Sequence, residues 1–209
     1  MTVSMEIIRR ADQMTTEWEW GWGRGATTRL AVHPPEASHS GSAFKWRMSS
    51  IRVAPAEFRL APLPGFQRIL MVLSGELRVC HEDRHEALLR AFDQDRFDGA
   101  WNTTGSGDAA GFDLSMAEGV DGSIVTLTLK PGQVKDISVT HALTPGQRRT
   151  IVLYVHAGRV EILLNGTICS LAEKDVLLLH EASASGLVIQ YFFLSSPVAT
   201  RIVQAVVLY

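Results

Sequence analysis

Hydrophobic and polar positions alternate along most of the chain, interrupted by short apolar runs. The segments Phe44 to Val53, Arg68 to Val79, Ile124 to Leu129, Thr150 to Leu164, Asp175 to Leu179, Leu187 to Leu194 and Ile202 to Leu208 have this character, with Gly, Pro, Asn or Ser between them. A period of two places successive side chains on opposite faces of a strand, so these segments predict β-strands closed by turns. Helical spacing is scarce; its best candidate is Glu86 to Phe92. The pattern predicts an all-β chain with little helix, built as antiparallel sandwiches or barrels.

An internal similarity organises these strands. Arg68-Ile-Leu-Met-Val-Leu-Ser-Gly75-Glu-Leu-Arg-Val79 resembles Thr150-Ile-Val-Leu-Tyr-Val-His-Ala-Gly158-Arg-Val-Glu-Ile162. Each copy runs through a glycine to a turn, returns, and reaches an acid followed by an apolar strand: Asp95-Arg-Phe97 in one, Asp175-Val-Leu-Leu178 in the other. A strand that bends sharply tolerates glycine better than a residue with a β-carbon, which makes Gly75 and Gly158 the expected corners. The order matches a small jelly-roll or cupin barrel, and its repetition predicts a bicupin. The glycine- and acid-rich stretch Ala117 to Ser123 sets the expected boundary, with one barrel over residues 1–118 and the other over 119–209.

Composition narrows the classes of partner. The 209 residues carry 20 Lys+Arg against 22 Asp+Glu, with no basic run of the kind that tracks phosphates, so no nucleic-acid partner is expected. No apolar stretch approaches the ~20 residues of a membrane span, and Glu6, Arg9 and Arg10 interrupt anything resembling a secretory leader. A cytoplasmic protein without a membrane partner is the expectation. Cys80 and Cys169, far apart and without CxxC spacing, read as reduced thiols.

Few residues carry obvious chemistry. There is no His-x-His pair; the dense group His81, Glu82, Asp83, His85 and Glu86 falls at a hairpin turn, where side chains are expected to face water. His33, His39, His141 and His180 are isolated, whereas strand alternation places His156 on one face with Val152 and Tyr154, the expected interior of the second barrel. No Gly-x-Ser-x-Gly elbow is present, and the glycines of Trp20 to Gly25 and Gly105 to Gly107 do not join an apolar strand to a helix as a phosphate cradle requires. No metal and no other cofactor is expected.

Trp18, Trp20, Trp22, Arg24, Arg29, Trp46, Arg47, Phe58, Phe66 and Arg68 crowd the first half, and no Trp follows the expected boundary. An arginine opening a buried strand, as Arg68 does, requires a partner. Its planar fork suits the carboxylate of a ligand or of an internal acid such as Asp98 or Asp113, and the residues leave these two readings level.

Four segments resemble the HutD/Ves family. Trp20-Gly-Trp-Gly-Arg-Gly25-Ala-Thr27 is similar to the family's Trp-x-x-Gly-x-Gly-x-Thr opening, and Phe44-Lys-Trp46-Arg47-Met-Ser49 to its Phe-x-Trp-Arg-x-Ser strand. Phe58 to Arg68 with Leu73-Ser-Gly75 resembles its strand entry and barrel glycine; Phe97-Asp98-Gly99 and Gly111-Phe112-Asp113-Leu114 resemble later elements. The resemblance implies a metal-free, cytoplasmic double cupin that binds a small carboxylate metabolite of the formylglutamate, formiminoglutamate or urocanate class and moderates histidine utilisation. It implies Arg68 as the anchor, with Trp46, Arg47, Trp20, Thr27, Phe58 and Asp113 lining or supporting the site. Gly21, Trp22, Arg24, Gly111 and Asp113 depart from the family pattern, which shifts polar groups and hence the ligand that fits.

Three functional readings follow. The leading one is a non-enzymatic binding protein. A second is a metal-independent isomerase or hydrolase of a small polar metabolite, with His156 or Asp113 as base. A third makes the second half a packing or homodimer surface, because Leu187 to Leu194 and Ile202 to Leu208 are apolar at successive positions.

Overall fold

The computed structural model describes residues 3–20, 23–37, 43–181 and 186–209, with the backbone alone at 18–20, 23, 186–189 and 191. Strand β1 (Val3–Ile8) and a single 3-10 turn (Arg10–Asp12) precede fifteen further strands. The chain divides into two compact units: Gln13–Val120, and Asp121–Tyr209 together with the N-terminal segment through Asp12.

The unit Gln13–Val120 is one antiparallel sheet of β2 (Met14–Trp20), β3 (Gly23–His33), β4 (Trp46–Arg59), β5 (Phe66–His81), β6 (His85–Arg90), β7 (Gln94–Asp98) and β8 (Thr103–Ala117), ordered β2-β3-β4-β8-β5-β6 with β7 also on β5. Strand β8 pairs with β5 along nearly all of its length, whereas β7 pairs only with Gln67 to Met71 and β6 only with Glu76 to His81. Register shifts at Val53/Ala56 and Val72/Ser74 bend the long strands between those halves. Val53, Leu70, Val72 and Phe97 before the bend then form one buried cluster with Phe58, Leu77, Val79 and Leu89 beyond it, so the sheet packs against itself.

Segment Glu86 to Phe92 is a strand and a turn, not a helix. Six residues of β6 draw their hydrogen bonds from β5, which a helix this short cannot match alone.

The second unit contains β9 (Asp121–Leu129), β10 (Val134–Leu143), β11 (Arg149–Ala157), β12 (Val160–Leu164), β13 (Thr167–Leu171), β14 (Val176–Glu181), β15 (Gly186–Ser195) and β16 (Thr200–Leu208). They form two sheets, β1-β14-β11-β16-β9 and β10-β15-β12-β13, whose inner faces share a core including Leu129, Val139, Leu153, Ile162, Leu177, Phe192 and Ile202. Strand β1 enters this unit by pairing antiparallel with β14, from Val3↔Glu181 to Ile8↔Val176, an exchange that the division at 118/119 did not anticipate.

The two units correspond strand by strand. Strand β5, paired with β7, β8 and β6, matches β11 and β12, paired with β14, β16, β15 and β13. Likewise β4 matches β9 with β10, and β8 matches β15 with β16. What runs unbroken in the first unit is severed in the second. Gly75 and Gly158 sit at the equivalent bends with φ of 80° and 87°, a left-handed conformation that glycine adopts freely. A Cβ on Gly75 would stand 2.0 Å from the Asp108 carbonyl oxygen, and one on Gly158 2.4 Å from Thr200 Oγ1.

The repeated acid is Asp93, not Asp95, opposite Asp175. Val72 N donates to Asp93 O and Val155 N to Asp175 O, each at 3.0 Å, and the side chains accept from Arg90 N (2.9 Å) and Ala172 N (3.0 Å). Among the described residues no sheet closes on itself; a folded sheet and a pair of sheets stand where two barrels were expected.

Candidate functional site

Residues directly opposite on paired strands share a face, so the register assembles the site. Val32, Arg47, Ser115, Arg68 and Phe97 form one row across β3, β4, β8, β5 and β7; Arg29, Ser49, Asp113 and Leu70 form the next; Thr27, Ile51, Gly111 and Val72 the third. This face turns toward the apolar cluster of Leu70, Val72 and Phe97. At the other side of the rows, Val32 packs on the small cluster of Ala37, Phe44 and Phe66. A polar island of Arg29, Arg47, Arg68, Ser49, Asp113 and Ser115 thus lies between two greasy patches.

Arg68 is engaged by an internal acid. Its Nε and Nη2 donate to the same oxygen, Asp113 Oδ1, at 3.0 and 2.8 Å, and Ser115 Oγ donates to Oδ2 at 2.9 Å. Of the two readings open in the sequence, the Asp113 partnership is therefore realised. The side chain retains 11% exposure and neither bond uses Nη1, so the pair occupies only one edge of the guanidinium.

Arg47 lies across Ser115 from Arg68, its guanidinium 4.6 Å from the Phe44 ring centroid. Burial lowers its pKa; Asp113 opposes that shift, whereas the like charges of Arg68 and Arg29 add to it. Three guanidiniums are gathered around one carboxylate, an excess of positive charge in a half-buried place. Arg29 also donates to Met14 Sδ at 3.2 Å.

The other expected site residues separate. Trp46 is 1% exposed and stacks on His33 at 5.8 Å; strand alternation turns it to the face opposite Arg47, so it supports the sheet from behind rather than lining the site. Phe58 lies past the bend in the apolar cluster, in close contact with Gly105, where a Cβ would stand 2.4 Å from its ring. Thr27 shares the face of Ile51 and Gly111. The backbone of Trp20 belongs to β2 and its side chain lies outside the described residues, as do Gly21, Trp22 and His39.

Arg24 belongs elsewhere: with Glu17, Arg52 and Asp108 it lines a surface cleft of about 520 Å³, and Arg52, which bonds Asp108 at 2.9 Å, projects opposite Ile51 and Val53. His156 does not face the interior of its unit, because Ile151, Leu153 and Val155 take that face and leave Val152 and Tyr154 on the other. Both oxygens of Asp113, the alternative base, already accept hydrogen bonds. Strand β16 is buried at Ile202, Val203, Ala205, Val206 and Val207, which makes it core rather than an exposed dimer surface.

The histidine cluster overturns one expectation outright. His81 is 1% exposed rather than solvated, because β5 continues through it and Leu77, Val79 and His81 share the buried face. Arg29, Ser49 and Ser115 join the site without having been expected there; the alternation Arg47-x-Ser49-x-Ile51 and Gly111-x-Asp113-x-Ser115 carried that signal.

No helix among the described residues is long and apolar enough to cross a membrane. No curated protein matches the sequence. The solved structure of PA5104, a conserved protein of unknown function from Pseudomonas aeruginosa PAO1, is similar at 25% identity over 98% of each chain, with a TM-score of 0.75. HutD from Pseudomonas fluorescens SBW25, solved in a formate condition, is similar at 16% identity over 97% of this chain and 98% of that one, with a TM-score of 0.66. Ylba from Escherichia coli shares the fold at 12% identity, covering 96% and 89% of the two chains, with a TM-score of 0.67. The HutD family model matches residues 11–191, a span that takes in all of the unit Gln13–Val120 with every residue of the polar island and most of the second unit; the chain belongs to the HutD family.

Proposed function

We propose that this protein is a non-enzymatic cytoplasmic receptor for a small carboxylate-bearing metabolite, held in the unit Gln13–Val120 beside Arg68 and Arg47. The observation that carries this reading is the excess of guanidinium over carboxylate on a face flanked by apolar clusters. The bonds between Arg68 and Asp113 leave Nη1 of Arg68 unused, and Arg47 and Arg29 bring like charge close beside it. An anionic guest is attracted by that gathering of like charge, its carboxylate meeting the unused edge of Arg68 and its aliphatic part resting among Phe44, Phe66 and Phe97. The metabolite class is that of formylglutamate, formiminoglutamate or urocanate, and the biological role is to moderate histidine utilisation or a related catabolic route. The strand-by-strand correspondence supports reading the two units as cupin-type halves of a bicupin.

Thermal denaturation of the full chain with and without N-formylglutamate and urocanate tests the reading, because a ligand bound only by the native state raises its stability. The expected result is an upward shift for at least one acid, lost in Arg68→Met and reduced in Arg47→Gln. No shift with either acid, or an equal shift in wild type and both variants, refutes it.

A further inference from the structure

A second cluster of chemistry-bearing side chains lies in the same unit, outside the arginine site. His81 ends β5 and pairs directly across the hairpin with His85 at the start of β6; Asp95 comes from β7. His81 Nε2 stands 2.9 Å from Asp95 Oδ2, and His85 Nε2 stands 3.2 Å from both Asp95 oxygens. One nitrogen from each histidine and one carboxylate oxygen lie within 4.8 Å of one another. Four-coordinate zinc holds its donors at about 2.0–2.2 Å, which sets neighbouring donors a little over 3 Å apart. The cluster approaches that spacing.

The surroundings fix the rings as a metal site requires. His81 Nδ1 lies 2.8 Å from Thr103 Oγ1, which donates to Trp101 O at 3.4 Å. In the tautomer whose Nδ1 proton goes to that hydroxyl, the Nε2 lone pair faces the carboxylate and a cation can join the two. A hydrogen bond from the far ring nitrogen is also the arrangement that orients a ligating histidine. Trp101 meets both imidazoles edge-on, at 5.4 and 6.0 Å, and Phe97 packs on His81 at 4.6 Å.

We infer that His81, His85 and Asp95 bind a divalent transition-metal ion of the zinc type, through His81 Nε2, His85 Nε2 and an Asp95 oxygen. Imidazole and carboxylate together select such an ion over magnesium or calcium, which take oxygen donors. Three protein ligands leave one position of a tetrahedral ion to solvent, and the ion enters past His85, whose side chain is 42% exposed, toward His81, which is fully covered. The ion clamps the β5–β6 hairpin to β7. The Phe97 ring touches both places, packed on His81 on one hand and 5.4 Å at its centroid from the Arg68 guanidinium on the other. The sequence alone hid this set because Asp95 reaches it through β7.

Calorimetric titration of the chelator-stripped full chain with zinc chloride tests the inference. One equivalent is expected to bind and raise the melting temperature. His85→Ala, at the exposed position, and Asp95→Asn are expected to weaken binding by at least about 10-fold, and Thr103→Val by about 10-fold through the His81 ring. Cys80→Ser and Cys169→Ser leave it unchanged. Circular dichroism of each apo variant confirms that the fold is kept. Absence of stoichiometric binding by the wild type, affinity unmoved in His85→Ala and Asp95→Asn, or affinity lost in a cysteine variant overturns it. The zinc titration involves no organic acid, so its failure is distinct from failure of the carboxylate reading.

Discussion

Both units place a buried arginine at the start of the strand that leads to their bend glycine, but enclose it differently. Arg149 and Glu181 face each other in register across β11 and β14, bonded through Nε, with both side chains 0% exposed; Arg149 Nη1 also donates to Val139 O at 2.9 Å. Arg68 reaches Asp113 diagonally across β5 and β8, keeps 11% exposure, and has Arg47 and Arg29 as neighbours. One guanidinium is fully covered within its own unit; the other keeps partial exposure and has two further guanidiniums for neighbours. A buried arginine is therefore not a site by itself. What differs between the two is exposure and the gathering of like charge beside one carboxylate.

The sealed pair gives the largest predicted effect. Arg149→Met leaves Glu181 as a buried charge without its cation and is expected to cost about 3–5 kcal/mol of unfolding free energy in urea denaturation. Adding Glu181→Leu restores most of the loss, since an apolar pair of similar volume replaces a buried ion pair at little cost. Arg68→Met is expected to cost less, about 1–3 kcal/mol, because Asp113 keeps its bond from Ser115 and the attraction of Arg47. Equal losses at the two arginines would break the comparison.

The bends rank next. Alanine at either glycine must adopt a left-handed backbone, at about 1–2 kcal/mol, and must also find room for its Cβ. At Gly75 the obstacle is the Asp108 carbonyl, fixed in a strand that pairs continuously through the bend. At Gly158 the nearest atom is the Thr200 hydroxyl, though the Ala199 carbonyl follows at 2.6 Å, and the flanking strands belong to separate sheets. Gly75→Ala is expected to lower stability by at least about 2 kcal/mol, and Gly158→Ala by less. A larger loss at Gly158 would mean that severing the strands does not relax the bend.

These glycines were visible in the sequence for a physical reason: a repeated apolar strand interrupted by the one residue without a Cβ is the mark of a strand forced to bend. The strands were legible through their period of two, and Arg68 stood out as a charge in an apolar run. Partners were not legible. Asp113 lies on another strand, and nothing local distinguishes it from Asp98, whose carboxylate instead accepts from Ala100 N. Trp46 and Arg47 both matched a family strand, yet alternation lets only one of them face the site. His81 looks like part of a solvated turn because charged residues follow it at once, whereas the strand runs on to His81 before the chain reverses. Strand β1 gave no sign that it pairs with β14 in the distant half of the chain.

The smallest effect concerns the repeated acid turn, where equivalent backbones carry unequal loads. Asp93 accepts a backbone bond from Arg90 in an exposed turn. Asp175 accepts from Ala172 N, from Arg10 N at 2.9 Å and from Arg9 Nη1 at 2.7 Å, tying the N-terminal segment to its unit. Burial tends to raise the Asp175 pKa, but the bonds from Arg10, Arg9 and Ala172 and the Arg9 charge outweigh it and hold the carboxyl below its ordinary value. A carboxyl whose folded pKa is depressed contributes stability that is complete above its unfolded value, about 3.9, and is lost as pH falls through the folded one. Stability measured from neutral pH downward should therefore fall across that acid range in the wild type, with a flatter profile in Asp175→Asn and about 1 kcal/mol less stability at neutrality. Asp93→Asn, which touches only the turn bond from Arg90 N, is the variant to compare with it. Identical profiles for the two variants would show that the extra donors around Asp175 add no stability beyond the shared turn.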